Sequence, residues 1–296
     1  MEKTKQERLA VVVLLMTTAA WGGTFVVVKD GISQMPYMSL MSWRFVIAFI
    51  FLVAMRPSVL RVSRDIYRRA FVIGTISFLG YLFQTIGLQY TSASVSGFIT
   101  GMFVVITPLV GWAVFRERLG WNVWVAVAIA ALGLGLIALH GWSFGIGEAW
   151  TLAGAVMWSL QIIFFSRYAS LENAFAIGTL MIGFVALDFV IFTLPQGYTV
   201  PPNKGVWIGI FAAALFATAF AFPAQSWGQS HIEATRAAVI YTMEPVFAMI
   251  GGVLFGGDKL TDRVMAGAAC IFAAMAIAEF GDRRKPEAES VPHPSM

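Results

Sequence analysis

Arg44, Asp188, Glu244 and Glu279 are ionisable residues set inside long apolar stretches of the chain. A charge at depth in a bilayer costs roughly 2.5–3.5 kcal/mol even on permissive scales, so each is a functional candidate. Glu244 stands directly before Pro245, whose ring removes a backbone hydrogen bond and distorts a helix locally. A poorly paired carboxylate there suits proton coupling or the binding of a substrate amine. The structural alternative is a carboxylate that satisfies donors freed by the kink. Arg44 offers a planar fork that fits a substrate carboxylate bidentately; its alternative is a fixed ion pair with Asp188 or Glu244. Asp188, near the end of its run, is a second coupling candidate. Glu279 lies close to Arg283 and reads as an interfacial charge.

Neutral polar residues in apolar runs must face protein or a wet cavity rather than lipid. Gln84, Thr100, Thr107, Ser159, Gln161, Thr218, Gln225 and Thr242 are of this kind. Trp21, Tyr81, Phe98, Trp158 and Tyr241 neighbour the Gly, Gln and Glu positions and can line a cavity for an amphipathic or aromatic solute. Each also serves as ordinary packing. The expected substrate contacts are therefore Trp21, Arg44, Tyr81, Gln84, Phe98, Trp158, Gln161 and Tyr241, with Glu244 and Asp188 as coupling groups.

The elements that must position these residues follow from composition. Of 296 residues, 58% are hydrophobic and 12% charged, against about 25% charged in soluble domains, and mean hydropathy is +0.77. That balance excludes a soluble fold. Cys270 is the single cysteine, which excludes a disulfide framework and a multi-cysteine metal site. His140, His231 and His293 are isolated, and neither a His-Glu-x-x-His nor a P-loop pattern occurs, so no metal, cofactor or enzymatic activity is expected. Ten apolar runs are long enough to span: 9–28, 38–55, 70–88, 95–115, 121–139, 149–165, 174–194, 205–227, 237–255 and 264–280. They are continuous rather than alternating, unlike barrel strands. The first run follows a basic segment like a signal peptide but continues through Trp21 to Val28, and reads as a retained helix.

Placing the N-terminus inside puts fifteen Lys and Arg in cytoplasmic segments, against Lys29, Lys204, Lys259 and Arg263 opposite. The positive-inside rule then sets both termini in the cytoplasm, of a bacterial inner membrane by expectation. The basic excess is a topology signal, and nucleic acid is not an expected partner.

A shift of 141 aligns Gln84–Leu119 with Gln225–Leu260 without a gap, pairing Gln84 with Gln225, Gly87 with Gly228 and Glu117 with Asp258. A shift of 137 places Trp21 on Trp158. Five spans per half is odd, so the halves must be inverted, an architecture common in secondary transporters. The expected organisation is a cytoplasmic N-terminus 1–8, repeats at 9–140 and 147–281, and a disordered tail 282–296: an all-α polytopic protein of ten helices arranged 5+5. Gly97, Gly101, Gly133, Gly135 and Gly267 offer close helix contacts, and Pro108, Pro223 and Pro245 offer bends.

Trp21-Gly22-Gly23-Thr24-Phe25 followed by Lys29, Gly87-Leu88-Gln89-Tyr90-Thr91-Ser92-Ala93-Ser94, and Glu117-Arg118-Leu119 resemble motifs of the EamA-type drug/metabolite transporters. So do Glu244-Pro245-Val246 and Gly257-Asp258-Lys259-Leu260, where Asp258 replaces the usual Glu. The resemblance covers about residues 9–280. It implies a ten-helix fold with helices 1–4 and 6–9 around a central cavity, and transport, often export, of small metabolites such as amino acids. A lipid-linked sugar flippase and an intramembrane enzyme are the alternatives. The expected partners are a small-molecule substrate and the bilayer, with a homodimer left open.

Overall fold

A backbone in hydrocarbon must satisfy its own polar groups, which leaves helices for apolar runs of this length. The computed structural model of the protein is built accordingly, and it describes residues 2–116, 119–140, 143–168, 173–229, 231 and 240–281. Its helices are α1 (Glu2–Gln34), α2 (Tyr37–Met55), α3 (Arg64–Tyr90), α4 (Ala93–Gly101), α5 (Phe103–Phe115) and α6 (Trp121–Ala138). They continue with α7 (Ile146–Tyr168), α8 (Ala174–Thr193), α9 (Lys204–Ala214), α10 (Ala221–Gln229), α11 (Glu244–Phe255) and α12 (Asp262–Gly281). A two-residue antiparallel ladder, Leu139–His140 with Ser143–Phe144, interrupts the helical pattern before α7. Glu117, Arg118, Arg236, the Glu279 side chain and the tail 282–296 lie outside what is described.

Taken as rods, the described helices number ten, matching the ten apolar runs of the sequence, because α4 with α5 and α9 with α10 each form one broken rod. α4 and α5 are consecutive pieces joined at Met102. α9 and α10 are joined by a π-helical segment, Leu215–Ala219. Seven rods are long and apolar enough to cross a membrane, and Trp121–Ile137 and Glu244–Phe255 are shorter apolar helices. The ninth run is broken as well: Ile240 and Tyr241 are helical, Thr242 and Met243 form a turn, and the helix resumes at Glu244, so the distortion expected beside Pro245 falls just before it. Pro245 occupies a first-turn position, where a missing N–H costs nothing and the fixed φ suits a helix start.

The bundle buries apolar residues and also presents them outward. One core joins α1, α2, α3, α8 and α9 around Phe45, Phe78, Met181 and Phe189; a second joins α4, α5, α6 and α12 around Ile99, Ala130, Ile271 and Met275. Phe255 and Trp121 are 81% and 80% exposed, and Ile208, Met16 and Phe216 are exposed as well. Such a perimeter suits lipid, not water. The principal neighbours are α3 with α7, α6 with α12, α2 with α8, α3 with α8, α1 with α11, and α4 with α11. Further contacts set α7 against α4 and α5, α1 against α9 and α10, and α2 against α9.

Small residues set the closest of these approaches. A Cβ on Gly22 would lie 2.6 Å from Phe247 Cβ, 2.7 Å from Glu244 O and 2.8 Å from Ala248 N, so α1 meets the start of α11 backbone to backbone. Gly97 and Gly101 likewise face Ala248 and Pro245, and Gly133 faces the Gly267 carbonyl.

Candidate functional site

Tyr81 on α3 is the hub of the site. Its ring packs edge-on against Trp158 of α7, with centroids 4.5 Å apart, and against Phe45 of α2 at 4.5 Å. The Arg44 guanidinium carbon stands 5.3 Å from the Tyr81 centroid and 5.1 Å from that of Phe45, within cation–π range. Tyr81 also lies in the electrostatic field of both Arg44 and Glu244. Residues from α2, α3 and α7 therefore pack around one tyrosine.

Arg44 is 3% exposed and forms no ion pair among the described residues. Its Nε and Nη2 donate to Thr218 Oγ1 at 3.4 and 3.3 Å, while Thr218 donates to the Ala213 carbonyl at 2.9 Å. Neither Asp188 nor Glu244 comes within ion-pair distance, so the fixed pair considered from the sequence does not form, whereas Arg69 and Asp65 do pair, at 2.6 Å on the surface. The reason is positional, because the π segment carries a hydroxyl to the guanidinium where a carboxylate was expected. Arg44 also forms part of the wall of a cleft of about 370 Å³, with Val26, Val27, Leu40, Val206 and Ile210.

Glu244 takes no hydrogen bond through its carboxylate from any described residue. Its place in the first turn of α11 sets it by free backbone N–H groups and the positive end of the helix dipole, which favour an anion. Two more polar atoms nearby are unsatisfied. Trp158 Nε1 and the Tyr241 hydroxyl are buried without a hydrogen-bond partner among the described residues, although Gln225 approaches Tyr241. Leaving such groups unpaired typically costs about 1–3 kcal/mol each.

Other expected residues are placed as follows. Trp21 rests on Tyr241 with centroids 5.8 Å apart and donates to Ala217 O of the π segment at 3.0 Å. Gln84 donates to Thr100 Oγ1 at 3.0 Å. Gln161 contacts Met181 Sδ at 3.8 Å, facing α8. Asp188 is half-buried, with Oδ2 unpartnered, but makes no contact with Arg44 or Tyr81. Phe98 is 3% exposed within the second core and makes no ring contact with this group. Phe45 and the π segment were not singled out from the sequence. No glycine or proline lies within 215–219, so a π segment there carries no local signal.

A helical bundle with an apolar perimeter and unpaired opposite charges among buried aromatics is the construction of a membrane transporter. The EamA-like transporter family matches residues 8–139 and again 145–279. The chain belongs to the EamA-like transporter family. It is 32% identical over 268 residues to an uncharacterised transporter of Archaeoglobus fulgidus, covering 89% of this chain and 83% of that one. It is 25% identical to a protein of Salmonella typhimurium described as a probable amino-acid metabolite efflux pump, covering 91% and 94% of the two chains. An Escherichia coli protein of the same description is 26% identical, covering 92% and 95%. A crystal structure with TM-score 0.66 and 18% identity, covering 94% of this chain and 98% of that one, shares the fold.

Proposed function

We propose that this protein is a secondary transporter that exports small amphipathic metabolites, amino acids among them, by alternating access. The observation that carries the reading is two opposite charges inside the bundle, Arg44 against the Tyr81 ring and Glu244 in the first turn of α11, neither ion-paired among the described residues. A zwitterion satisfies both, its carboxylate on Arg44 and its amine on Glu244. The free Trp158 N–H and, beside Gln225, the Tyr241 hydroxyl supply further hydrogen bonds, and Trp21, Gln84 and the Tyr81 ring complete an amphipathic lining. The names of the Salmonella and Escherichia relatives support amino-acid metabolites as the substrate class. Phe98 and Gln161 form the surrounding wall, and Asp188 is a secondary proton site.

The site lies between two inverted repeats, 9–140 and 147–281, with both termini in the cytoplasm. Three observations support duplication. The family matches each half separately. Exchanging the halves also maps principal contacts onto one another: α1 with α11 onto α7 with α4 and α5, and α3 with α7 onto α9 and α10 with α1. The helix breaks at Met102 and Met243 stand 141 residues apart, the same shift that aligns the sequence halves. Discontinuous helices at equivalent places are where transporters of this type hold substrate.

The test is flux of a mixed amino-acid pool through reconstituted vesicles, with Trp158→Ala and Gln84→Ala measured separately. Both variants are expected to lose most of the flux at normal expression. Wild-type flux in both moves the site elsewhere, and no flux of any amino acid in the wild type removes the substrate class.

A further inference from the structure

We propose that the polar cluster at the Lys29 end of the bundle is a latch that holds this end closed, and that its release opens the site to that side. The inference rests on the alternating-access reading above. It assigns roles to Lys29, Ser94, Glu148 and Asp258, none of which touches the Tyr81 group.

Three sets of bonds meet there. Lys29 Nζ of α1 donates to the carbonyls of Leu88 and Thr91 at 2.6 and 2.5 Å, groups at the C-terminal end of α3 that have no helical donor of their own. Thr91 Oγ1 donates to Oε1 of Glu148 at 2.7 Å, a buried carboxylate in the first turn of α7. Asp258, just beyond α11, accepts from both the backbone N and the Oγ of Ser94 through Oδ2, at 2.8 and 2.7 Å. Lys29 lies within the field of Asp258. The cluster thus ties α1, the α3–α4 junction, α7 and the end of α11.

The bond from Asp258 is not needed to start α4. Ser92 already caps that helix locally, accepting from Val95 N at 3.2 Å. Asp258 is a second, remote cap from the other half of the chain, and two backbone features aim it. Gly257 has φ +68°, which lets the chain turn back over the end of α11. A Cβ on Gly252 would strike Asp258 and Ser94, so only glycine lets the carboxylate pass this close. What the contact joins is the two halves.

The chemistry suits a joint that must open into water. Apolar surfaces parted into water lose their burial outright, whereas hydrogen-bonded groups exchange their partners for water at a small net cost. The sequence also repeats the device. The shift of 141 pairs Asp258 with Glu117 and Ser94 with Thr235, an acid and a hydroxyl again, at the opposite end if the repeats are inverted. Glu117 and Thr235 lie outside the described residues.

The experiment reads gating without any substrate. A Gln84→Cys reporter in a Cys270→Ala background is labelled by a membrane-impermeant methanethiosulfonate, applied to right-side-out and to inverted vesicles. Asp258→Asn is expected to raise the labelling rate from the Lys29 side about tenfold and to lower it from the other. Ser94→Ala removes one of the two bonds and moves both rates the same way by less, which keeps the test available if Asp258→Asn fails to fold. Rates unchanged from both sides, or raised equally from both, overturn the latch and make the cluster a static brace. Either result leaves the transport reading standing, since that reading is tested by flux.

Discussion

Gly22→Ala and Gly23→Ala differ by one position and should differ in sign. At Gly22 the added methyl meets Phe247 Cβ at 2.6 Å, Glu244 O at 2.7 Å and Ala248 N at 2.8 Å. Carbon contacts relax at about 3.5–4.0 Å, so α1 and α11 must separate by roughly an ångström. Two of the three struck atoms are backbone, so no rotamer change relieves the contact. Overpacking of this kind costs about 1–3 kcal/mol, and the separation also moves the first turn of α11, which carries Glu244. At Gly23 a Cβ meets nothing within 4 Å, and alanine in place of glycine in a helix gains about 0.5–1 kcal/mol. Thermal unfolding of the purified protein in detergent should place Gly22→Ala below and Gly23→Ala at or above the wild type. Flux should fall in Gly22→Ala only. Equal losses at the two positions, or a neutral Gly22→Ala, would refute the argument that α1 and α11 touch backbone to backbone.

Two further substitutions address the charges. Glu244→Gln should abolish uphill transport while leaving part of the downhill exchange, measured as counterflow in vesicles, because the glutamine keeps the shape but carries no exchangeable charge; full retention of proton-driven accumulation would make Glu244 structural. Arg44→Met keeps the stem and loses the cation, so discrimination between an amino acid and its amide should fall at least tenfold in competition assays, a bidentate charge-assisted contact being worth about 1.5–3 kcal/mol; unchanged discrimination would remove Arg44 from substrate recognition.

Hydropathy made the crossings legible because bilayer thickness fixes the length of a spanning helix. Motif and repeat pointed to Trp21, Trp158, Gln84 and Glu244 because gapless alignment of polar and aromatic residues in apolar runs is hard to obtain by chance. What hydropathy does not see is a break that remains apolar. Met102 separates α4 from α5, and Leu215–Ala219 widens into a π turn, with residues that would equally continue an α-helix. Pro245 carried the signal for a distortion within a continuous apolar run, and the break falls beside it, at Thr242–Met243, which puts Pro245 in a first turn. Lys29 counted as a charge outside the cytoplasm and as the close of the first-helix motif; that its ammonium caps α3 depends on where two distant helices end. The ion pair weighed for Arg44 failed for the same reason, because a local hydroxyl, Thr218, reaches it.

That failure bears on mechanism. An Arg44–Glu244 pair would satisfy both charges within the protein, and a substrate would then have to break it before binding. Buried pairs are costly to break, because each partner is left uncompensated. A carrier must instead bind and let go within each cycle, so its own residues should leave the charges incompletely satisfied. Here a neutral hydroxyl and two aromatic faces hold the guanidinium, and a helix start holds the carboxylate. Each partner stabilises its charge weakly and in part, and each leaves room for a stronger one. Substrate then contributes what the fold withholds, and its departure costs only the difference between a good partner and an adequate one.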